Sequence, residues 1–322
     1  MGTEGREISY DVPPYIRVYA DGTIQRLAAT EFAPAAFDPA TGVTSKDVVI
    51  DPDTGVFARI YRPANAGNNL PLVVYFHGGA FFLSSVGDPN YHGFLNVLVA
   101  KVNAVLVSVN YRKAPEHPLP AAYDDSWAAL QWIAGKGAED LLIGSVDFSR
   151  VFLAGDSAGA NISHHMAIKA RKSDPILGLK FEGIIMIHPY FWGENPIGIE
   201  VEDEVRKAMV DKWWEFVCPS NQGGEDSLIN PFVNGGVSVL ADLACERIIV
   251  CVAGKDILRD RGKLYYESLV KSEWGGKAEI IETEEEDHVF HIFDPYSDNA
   301  VQLVKRLNGF INQNILLVSS DS

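Results

Sequence analysis

The chain has 322 residues, of which 47% are hydrophobic and 22% charged, a balance typical of a soluble globular protein with a large core. A formal net charge of −16, from 43 acidic and 27 basic residues, repels phosphate backbones and anionic lipid, so nucleic acid and membrane surfaces are poor candidates for partners. Three cysteines without metal-ligand spacing predict neither a disulfide framework nor a metal site, and the lack of an apolar leader or of a run near ~18 apolar residues favours the cytoplasm.

Apolar runs rich in β-branched residues alternate with longer amphipathic stretches, a pattern typical of an α/β fold. The middle runs are apolar throughout, which predicts a mostly parallel sheet of eight strands covered by helices on both faces. In chain order, the predicted strands are Asp47–Ile50, Phe57–Arg62, Leu72–Phe76, Ala104–Asn110, Arg150–Gly155, Gly183–His188, Ile248–Ala253 and Ala278–Thr283. The predicted helices are Tyr91–Val102, Ala121–Ala134, Ala158–Arg171, Asp203–Phe216, Asp260–Lys271 and Asp298–Asn314.

Two segments fall outside this alternation, residues 1–45 and residues 190–235. The first is rich in proline, alanine and glycine, and the second contains several aromatic residues between the sixth and seventh strands. Both have to lie over an edge of the sheet. We expect one domain over residues 1–322, with these two segments forming a helical cap over the edge that carries the functional residues.

The motif Gly155-Asp156-Ser157-Ala158-Gly159 matches G-x-S-x-G between a predicted strand and a predicted helix. A serine on such a sharp turn presents its hydroxyl at the carboxyl edge of the sheet, and the flanking glycines keep the turn uncrowded. The N-terminus of the following helix offers free N–H groups and a positive dipole where an oxyanion would develop. The motif therefore predicts that Ser157 is a nucleophile.

The segment His77-Gly78-Gly79-Ala80 directly follows the third predicted strand. Backbone N–H groups of consecutive glycines can approach a substrate closely. The N–H groups of Gly78, Gly79 and Ala158 are therefore predicted to form an oxyanion hole for a tetrahedral intermediate. We interpret His77 as a residue that shapes this loop, because it ends a strand far upstream of the serine.

A nucleophilic serine needs a histidine base and a carboxylate that orients it, in the chain order serine, acid, histidine. His288 follows the last predicted strand and is preferred to His291, which falls inside the next helix. Asp256 follows the seventh strand and is preferred to Asp260, which is expected to cap a helix. The other histidines after the serine, expected in packing or in a wall of the site, are His164, His165 and His188.

Acidic residues at positions 282 and 284–287 directly precede His288. Negative charge near an imidazole favours its protonated form and raises its pKa. We expect this loop to be solvated and screened from the site. Candidates for an apolar substrate pocket are Ala80, Phe81, Phe82, Trp192, Trp213, Trp214 and Val289.

Six segments closely resemble plant carboxylesterases of the hormone-sensitive-lipase-like group of α/β hydrolases, and the resemblance extends from about Asp11 to Phe310. They are HGGAF, NYRKAPEHPLPAAYDDSWAALQW, GDSAGANISHH, HPYFWG, GKDILRDRG and EDHVFHIF. The resemblance implies an α/β-hydrolase fold with a helical cap, and hydrolysis of small carboxylic esters through an acyl-enzyme, without a cofactor or a metal. The family commonly has a third glycine where Ala80 stands, and we expect Ala80 to keep the backbone role.

At the same positions, the resemblance implies a triad of Ser157, Asp256 and His288, with oxyanion donors at Gly78, Gly79 and Ala158. Related proteins that are not esterases leave two alternatives open. One is a dehydratase or cyclase, since 2-hydroxyisoflavanone dehydratases and alkaloid cyclases share this lineage. The other is a hormone-binding receptor, although gibberellin receptors lack the triad histidine that is present here. The sequence does not distinguish a monomer from a homodimer.

Overall fold

The centre of the molecule is a mostly parallel β-sheet. The computed structural model describes residues 6–135, 145–173, 179–220, 222–233 and 236–318. The strands of these residues are β1 (Ile8–Val12), β2 (Ile16–Tyr19), β3 (Ile24–Arg26), β4 (Phe37–Asp38), β5 (Val43–Asp51), β6 (Val56–Pro63), β7 (Leu70–Phe76), β8 (Val105–Asn110), β9 (Val146–Asp156), β10 (Phe181–Ile187), β11 (Arg247–Ala253) and β12 (Lys277–Thr283).

Nine of the strands in the described part of the chain form the central sheet, in the order β12-β11-β10-β9-β7-β8-β6-β5-β4. The six strands from β12 to β8 run parallel, whereas β6, β5 and β4 are antiparallel to their neighbours. All eight predicted strands are present with ends displaced by a few residues, and the first two of them pair as the antiparallel hairpin β5–β6. The expected number of eight strands in this sheet is wrong, because the described residues add a ninth strand, β4. Its two residues are too few to show an alternating pattern.

Helices cover both faces of this sheet. They are α1 (Pro89–Val102), α2 (Ala121–Ala134), α3 (Ala158–Lys172), α4 (Glu204–Val217), α5 (Gly236–Val239), α6 (Arg259–Lys271), α7 (Phe290–Phe293) and α8 (Asp298–Val318). All six predicted helices are present. Among the helices of the described residues, none combines the length and the apolar character needed to cross a bilayer.

The strand β7 shows why the sheet needs a helical layer on each face. All seven of its residues are buried, and successive side chains point to opposite faces. Leu72, Val74 and Phe76 enter the apolar cluster that includes residues of α2, α3 and α6. Val73 and Tyr75 enter the cluster that includes residues of α1, α7 and α8. The central parallel strands, unlike the partly exposed edge strand β12, are therefore sealed from water on both sides, and their carboxyl ends remain the accessible edge.

The N-terminal segment differs from the expected helical cap. Residues 8–26 form a separate antiparallel sheet in the order β1-β2-β3. Its apolar residues alternate with polar ones, as in Ile16-Arg17-Val18, and this period of two suits a strand rather than a helix. The sheet packs on α4, where the ring of Tyr10 stacks on Phe216 with centroids 4.9 Å apart. The second of the two segments does contain a helix, α4, as expected. The prediction of a helical cap is wrong for the N-terminal residues, which form strands.

The expected helix cap at Asp260 is also wrong. Helix α6 begins at Arg259, so Asp260 lies inside its first turn. Its carboxylate accepts a hydrogen bond from the N–H of Ile199 at 2.8 Å and pairs with Arg259. Asp260 therefore binds α6 to the segment that precedes α4, a contact between distant parts of the chain that a local pattern does not show.

A buried ion pair strengthens the same junction. The guanidinium of Arg261 in α6 contacts both carboxylate oxygens of Glu200, at 2.7 and 2.8 Å. The two side chains are only 5% and 0% exposed. Because each charge is shielded from water, each depends on the other for its stabilisation.

Removing one partner of this pair should destabilise the fold strongly. We expect Glu200→Ala to lower the free energy of unfolding by about 3–5 kcal/mol, because it leaves the charge of Arg261 buried without a counter-ion. Urea denaturation measures this loss. The double variant Glu200→Leu with Arg261→Met is the control and should recover most of it. A single variant as stable as the parent chain would contradict the role of the pair.

Candidate active site

Ser157 occupies a strained turn between β9 and α3. Its backbone lies at φ +51° and ψ −118°, in a region that non-glycine residues rarely adopt. The flanking glycines are required by space: a Cβ at Gly159 would lie 1.8 Å from the carbonyl oxygen of Phe76, and one at Gly155 would lie 2.3 Å from the backbone of Gly159. The turn thus raises Ser157 above the sheet at the edge of a cavity.

The structure brings Ser157, Asp256 and His288 together. The Nε2 atom of His288 lies 3.0 Å from the Oγ of Ser157, and its Nδ1 lies 2.7 Å from Oδ2 of Asp256. Asp256 is 0% exposed, and its other oxygen accepts the N–H of Leu258 at 2.9 Å. With Asp256 ionised, Nδ1–H donates to the carboxylate, which leaves Nε2 free to accept the serine proton.

The competing candidates lie elsewhere. His291 is 0% exposed and packs edge-on against Phe94 with centroids 4.7 Å apart. Neither of its ring nitrogens finds a hydrogen-bond partner within the described ranges. His164 is also buried and contacts the hydroxyl of Tyr265 at 3.0 Å, as expected of a packing residue.

The charges around His288 favour its protonated form. Burial by itself lowers the pKa of the imidazole, but the charge and hydrogen bond of Asp256, together with the charges of Asp156 and Asp287, outweigh it, and the net pKa is raised. Burial raises the pKa of Asp256, but His288, with smaller contributions from His188 and the N–H of Leu258, more than offsets this, so the carboxyl pKa is lowered. Asp287 also raises the pKa of His288, so the expectation that the acidic run is screened from the site is wrong for Asp287.

The loop after β7 corrects the predicted set of oxyanion donors. The N–H of Gly78 donates to the hydroxyl of Tyr91 at 2.9 Å, so it is already engaged. Gly79 and Ala80 line the cavity, and within the described residues no acceptor is found for their N–H groups or for that of Ala158. Glycine is needed at position 79, where φ is +102° and a Cβ would lie 2.6 Å from the carbonyl oxygen of Leu83.

Asp156 is a residue of the site that the sequence analysis missed. Its carboxylate is 0% exposed and accepts hydrogen bonds from the hydroxyls of Tyr75 at 2.7 Å and Tyr91 at 2.6 Å. Burial raises the pKa of Asp156 to about 6, and the two tyrosines limit the rise. Tyr91 thus connects the loop at Gly78 to the turn of Ser157. The available signal was an acidic residue directly after the buried apolar run 151–155 that ends the strand.

His77 lies in the same loop without reaching the cavity. It is 0% exposed and stacks on Tyr111, with ring centroids 4.3 Å apart. The hydroxyl of Tyr111 donates to the carbonyl of His77 at 2.7 Å. Burial lowers the pKa of His77 to about 3, so its ring is neutral at pH 7. These contacts agree with the interpretation of His77 as a residue that shapes the loop.

A cavity of about 600 Å³ opens beside Ser157. Of the predicted pocket residues, Ala80, Trp213 and Val289 line it. The other four do not line it: they are at most 2% exposed and belong to the main apolar core, namely Phe81, Phe82, Trp192 and Trp214. Lining residues that the sequence analysis missed include Tyr15, Asp88, Arg206, Met209, Val210, Leu258 and Phe293.

One group of side chains has the composition of a metal site. Ligand atoms of His188, Asp256 and His288 all lie within 4.8 Å of one another. These atoms already take part in hydrogen bonds: Asp256 with His288, His288 with Ser157, and His188 with the N–H of Val289 at 2.8 Å. The group therefore fits a proton-transfer arrangement, in which each imidazole is oriented by a partner.

Comparisons with known proteins agree with this geometry. A family model for the alpha/beta hydrolase fold matches residues 73–292. Probable carboxylesterase 2 of Arabidopsis thaliana is 55% identical over 315 residues, covering 97% of this chain and 99% of that protein. Tuliposide A-converting enzyme 2, chloroplastic, of Tulipa gesneriana is 44% identical over 312 residues, covering 95% of this chain and 79% of that protein.

Solved structures show the same fold. A hyperthermophilic esterase from the archaeon Pyrobaculum calidifontis superposes with a TM-score of 0.71 at 30% identity, over 84% of this chain and 86% of that one. The family match spans more than half of the chain, and the plant relatives cover nearly all of it. The chain therefore belongs to the α/β-hydrolase family and, within it, to the plant carboxylesterases of the hormone-sensitive-lipase-like group.

Proposed function

We propose that the chain is a serine carboxylesterase that hydrolyses small carboxylic esters through an acyl-enzyme intermediate. One observation carries the proposal: a hydrogen-bonded line runs from buried Asp256 through His288 to the hydroxyl of Ser157 at the wall of a cavity. A nucleophile, a base and an orienting carboxylate in this order are what acyl transfer to a serine requires. No cofactor is needed for this reaction.

The first half of the reaction transfers the acyl group to the protein. The Oγ of Ser157 attacks the acyl carbon of the ester while Nε2 of His288 accepts its proton. Asp256 holds the imidazole in the tautomer with Nδ1 protonated and stabilises the imidazolium that forms. When the tetrahedral intermediate collapses, His288 gives the proton to the leaving alcohol, and the acyl group remains on the serine.

The second half releases the acid. A water molecule takes the place of the alcohol, and Nε2 of His288 accepts a proton from it as it attacks the acyl-enzyme. Collapse of the second tetrahedral intermediate breaks the bond to Oγ, which recovers its proton from His288. The carboxylic acid then leaves and the resting protein is restored.

The negative charge of both intermediates needs donors that point into the cavity. We propose the N–H groups of Gly79, Ala80 and Ala158 for this role, because they have no acceptor within the described residues and lie beside Ser157, in the loop after β7 and at the start of α3. Gly78 is left out because its N–H is bonded to Tyr91. Losing one such donor typically costs on the order of 10²–10³ in kcat.

The alternative functions find less support in this site. A dehydratase or cyclase that uses His288 alone as a base would not need the contact of 3.0 Å between its Nε2 and Ser157. A receptor would not need the complete line of three groups. The hydrogen bond from serine to histidine therefore favours covalent catalysis over either alternative.

The same proposal extends to the organisation of the chain. Residues 1–322 form one domain, and residues 1–45 and 190–235 act as a cap, which the contribution of Tyr15 and Trp213 to the cavity lining supports. The ligand is a small-molecule ester, and the protein acts as a monomer or homodimer. The net charge of −16 repels nucleic acid and anionic membrane surfaces, so we propose neither as a partner. We propose the cytoplasm as its location, although one relative is named as chloroplastic.

Removing the hydroxyl of Ser157 should remove nearly all esterase activity. We expect Ser157→Ala to lower kcat for p-nitrophenyl butyrate on the order of 10⁶-fold, as for removal of a serine nucleophile in general. A fluorophosphonate should add its mass to the parent chain and not to this variant. Ser163→Ala is the matched control, because Ser163 is buried in the helix that follows Ser157 and its hydroxyl donates to the carbonyl of Gly159. Undiminished turnover in Ser157→Ala would overturn the proposal.

The pH dependence should report His288. Its imidazole must be neutral to accept a proton, so kcat/KM rises with pH through its pKa. Because Asp256 raises this pKa, the midpoint of the acidic limb should lie above the ordinary histidine value of about 6.5. Asp256→Asn should move the midpoint to lower pH and reduce kcat on the order of 10⁴-fold. A limb that does not move in this variant would exclude His288 as the titrating base.

The contact from Gly78 to Tyr91 should matter for both stability and rate. Tyr91→Phe removes the hydroxyl that accepts from the N–H of Gly78 and leaves that N–H only the nearby carboxylate of Asp156, so we expect a loss of about 1–3 kcal/mol in the free energy of unfolding. Displacement of the adjacent donors should lower kcat by up to ~10²-fold. Tyr75→Phe is the control, since it removes the other donor to Asp156 without touching the loop. An unchanged kcat per folded Tyr91→Phe molecule would argue against this anchoring.

A further inference from the structure

We propose that His188 is a positioning residue that holds the loop of His288 in its reactive geometry by accepting a hydrogen bond from the N–H of Val289. The inference rests on the proposed esterase function and adds a residue to it. His188 itself does not touch the serine or the reacting atoms. It acts through the residue that follows the proposed base.

His188 is fixed at the end of β10. Its backbone N–H donates to the carbonyl of Cys251 in β11 at 2.8 Å, and its side chain is almost fully buried, at 2% exposed. Its ring packs against those of Phe290 and His291, with centroids 5.6 Å from each. The imidazole is therefore attached to the rigid sheet and presents a fixed acceptor to the loop above it.

The loop that carries His288 needs such a support. Val289 lies at φ +49° and ψ +34°, a left-handed conformation that is a marked outlier for a β-branched residue. Strained backbone of this kind persists only where the surroundings determine it. The bond of 2.8 Å from the N–H of Val289 to Nδ1 of His188 is one such restraint, and it acts on the peptide directly attached to His288.

The direction of this bond fixes the state of the His188 ring. Because a backbone N–H can only donate, Nδ1 must carry a lone pair, and the ring must be neutral with its proton on Nε2. Burial lowers the pKa of His188 to about 4, with Asp256 acting against the shift and His288 adding to it. The neighbouring His291 is also fully buried with a pKa well below its usual range. The acceptor at Nδ1 is therefore present at pH 7, and no second imidazolium competes with His288 for Asp256.

Two substitutions at position 188 separate the hydrogen bond from the backbone. The backbone of His188 lies at φ +47°, which asparagine and glycine both tolerate. In His188→Asn, the side-chain carbonyl oxygen stands near the place of Nδ1 and can accept from Val289. In His188→Gly the acceptor is lost while the backbone remains favourable. Comparing these two variants therefore isolates the acceptor.

The experiment measures kcat and KM for p-nitrophenyl butyrate per active site, counted by titration with a fluorophosphonate. We expect His188→Gly to lower kcat by about 10- to 100-fold with little change in KM, since small displacements of a reacting group have effects of this size. His188→Asn should retain kcat within a few-fold of the parent chain. The downfield proton resonance of the bond between His288 and Asp256 should remain sharp in His188→Asn and broaden in His188→Gly.

A purely structural role would give a different pattern. If His188 contributed only packing, its loss would lower the number of active sites that the fluorophosphonate labels. The kcat of each remaining site would be unchanged. His164→Leu is the control for this, because His164 is another buried histidine that contacts Tyr265 and not the loop. Wild-type kcat per site in His188→Gly, or equal impairment of both variants at position 188, would overturn the inference. Failure of the esterase proposal is distinguishable, because the parent chain would then show no turnover that depends on Ser157.

Discussion

The proposed chemistry depends on one interaction, the hydrogen bond of 2.7 Å between the fully buried carboxylate of Asp256 and Nδ1 of His288. It turns the opposite nitrogen of the ring toward Ser157, which lies 131 positions away in the chain. The three groups can meet because each follows a different parallel strand, β9, β11 or β12, and the carboxyl ends of parallel strands share one edge. The order of the strands thus brings the three groups near one another, and the conformations of the loops set the final distances between them.

The loops bring these groups into contact by adopting strained backbone conformations. Ala80, Ser157, His188 and Val289 all have φ between +47° and +51°, and all line the cavity or contact a residue that does. Each such conformation costs on the order of 1–3 kcal/mol and requires surroundings that hold it. Here the restraints come from the core itself, through close approach of glycines and through buried polar side chains. The rigid double-sided packing of the sheet is therefore what allows the site to keep its geometry.

The sequence predicted the parts of this arrangement that local pattern controls. The parallel strands, the turn at Ser157 and the two loop residues Asp256 and His288 follow from apolar runs that end in polar residues. Contacts between segments that lie far apart in the sequence could not be predicted from it. The tyrosine hydroxyl that engages Gly78 lies 13 positions along the chain and in a helix, and nothing local marks it as a partner. The sequence does not show whether an aromatic side chain beside a loop faces the cavity or the core. Four of the predicted pocket residues belong to the core: Phe81, Phe82, Trp192 and Trp214.

The most direct test of the account is a crystal structure of the chain after reaction with an alkyl phosphonate that mimics the tetrahedral intermediate. We expect phosphorus bonded to the Oγ of Ser157 and a phosphonyl oxygen about 2.7–3.2 Å from the N–H groups of Gly79, Ala80 and Ala158. The N–H of Gly78 should still point to Tyr91. A phosphonyl oxygen bound by Gly78, or an adduct on any other side chain, would contradict it.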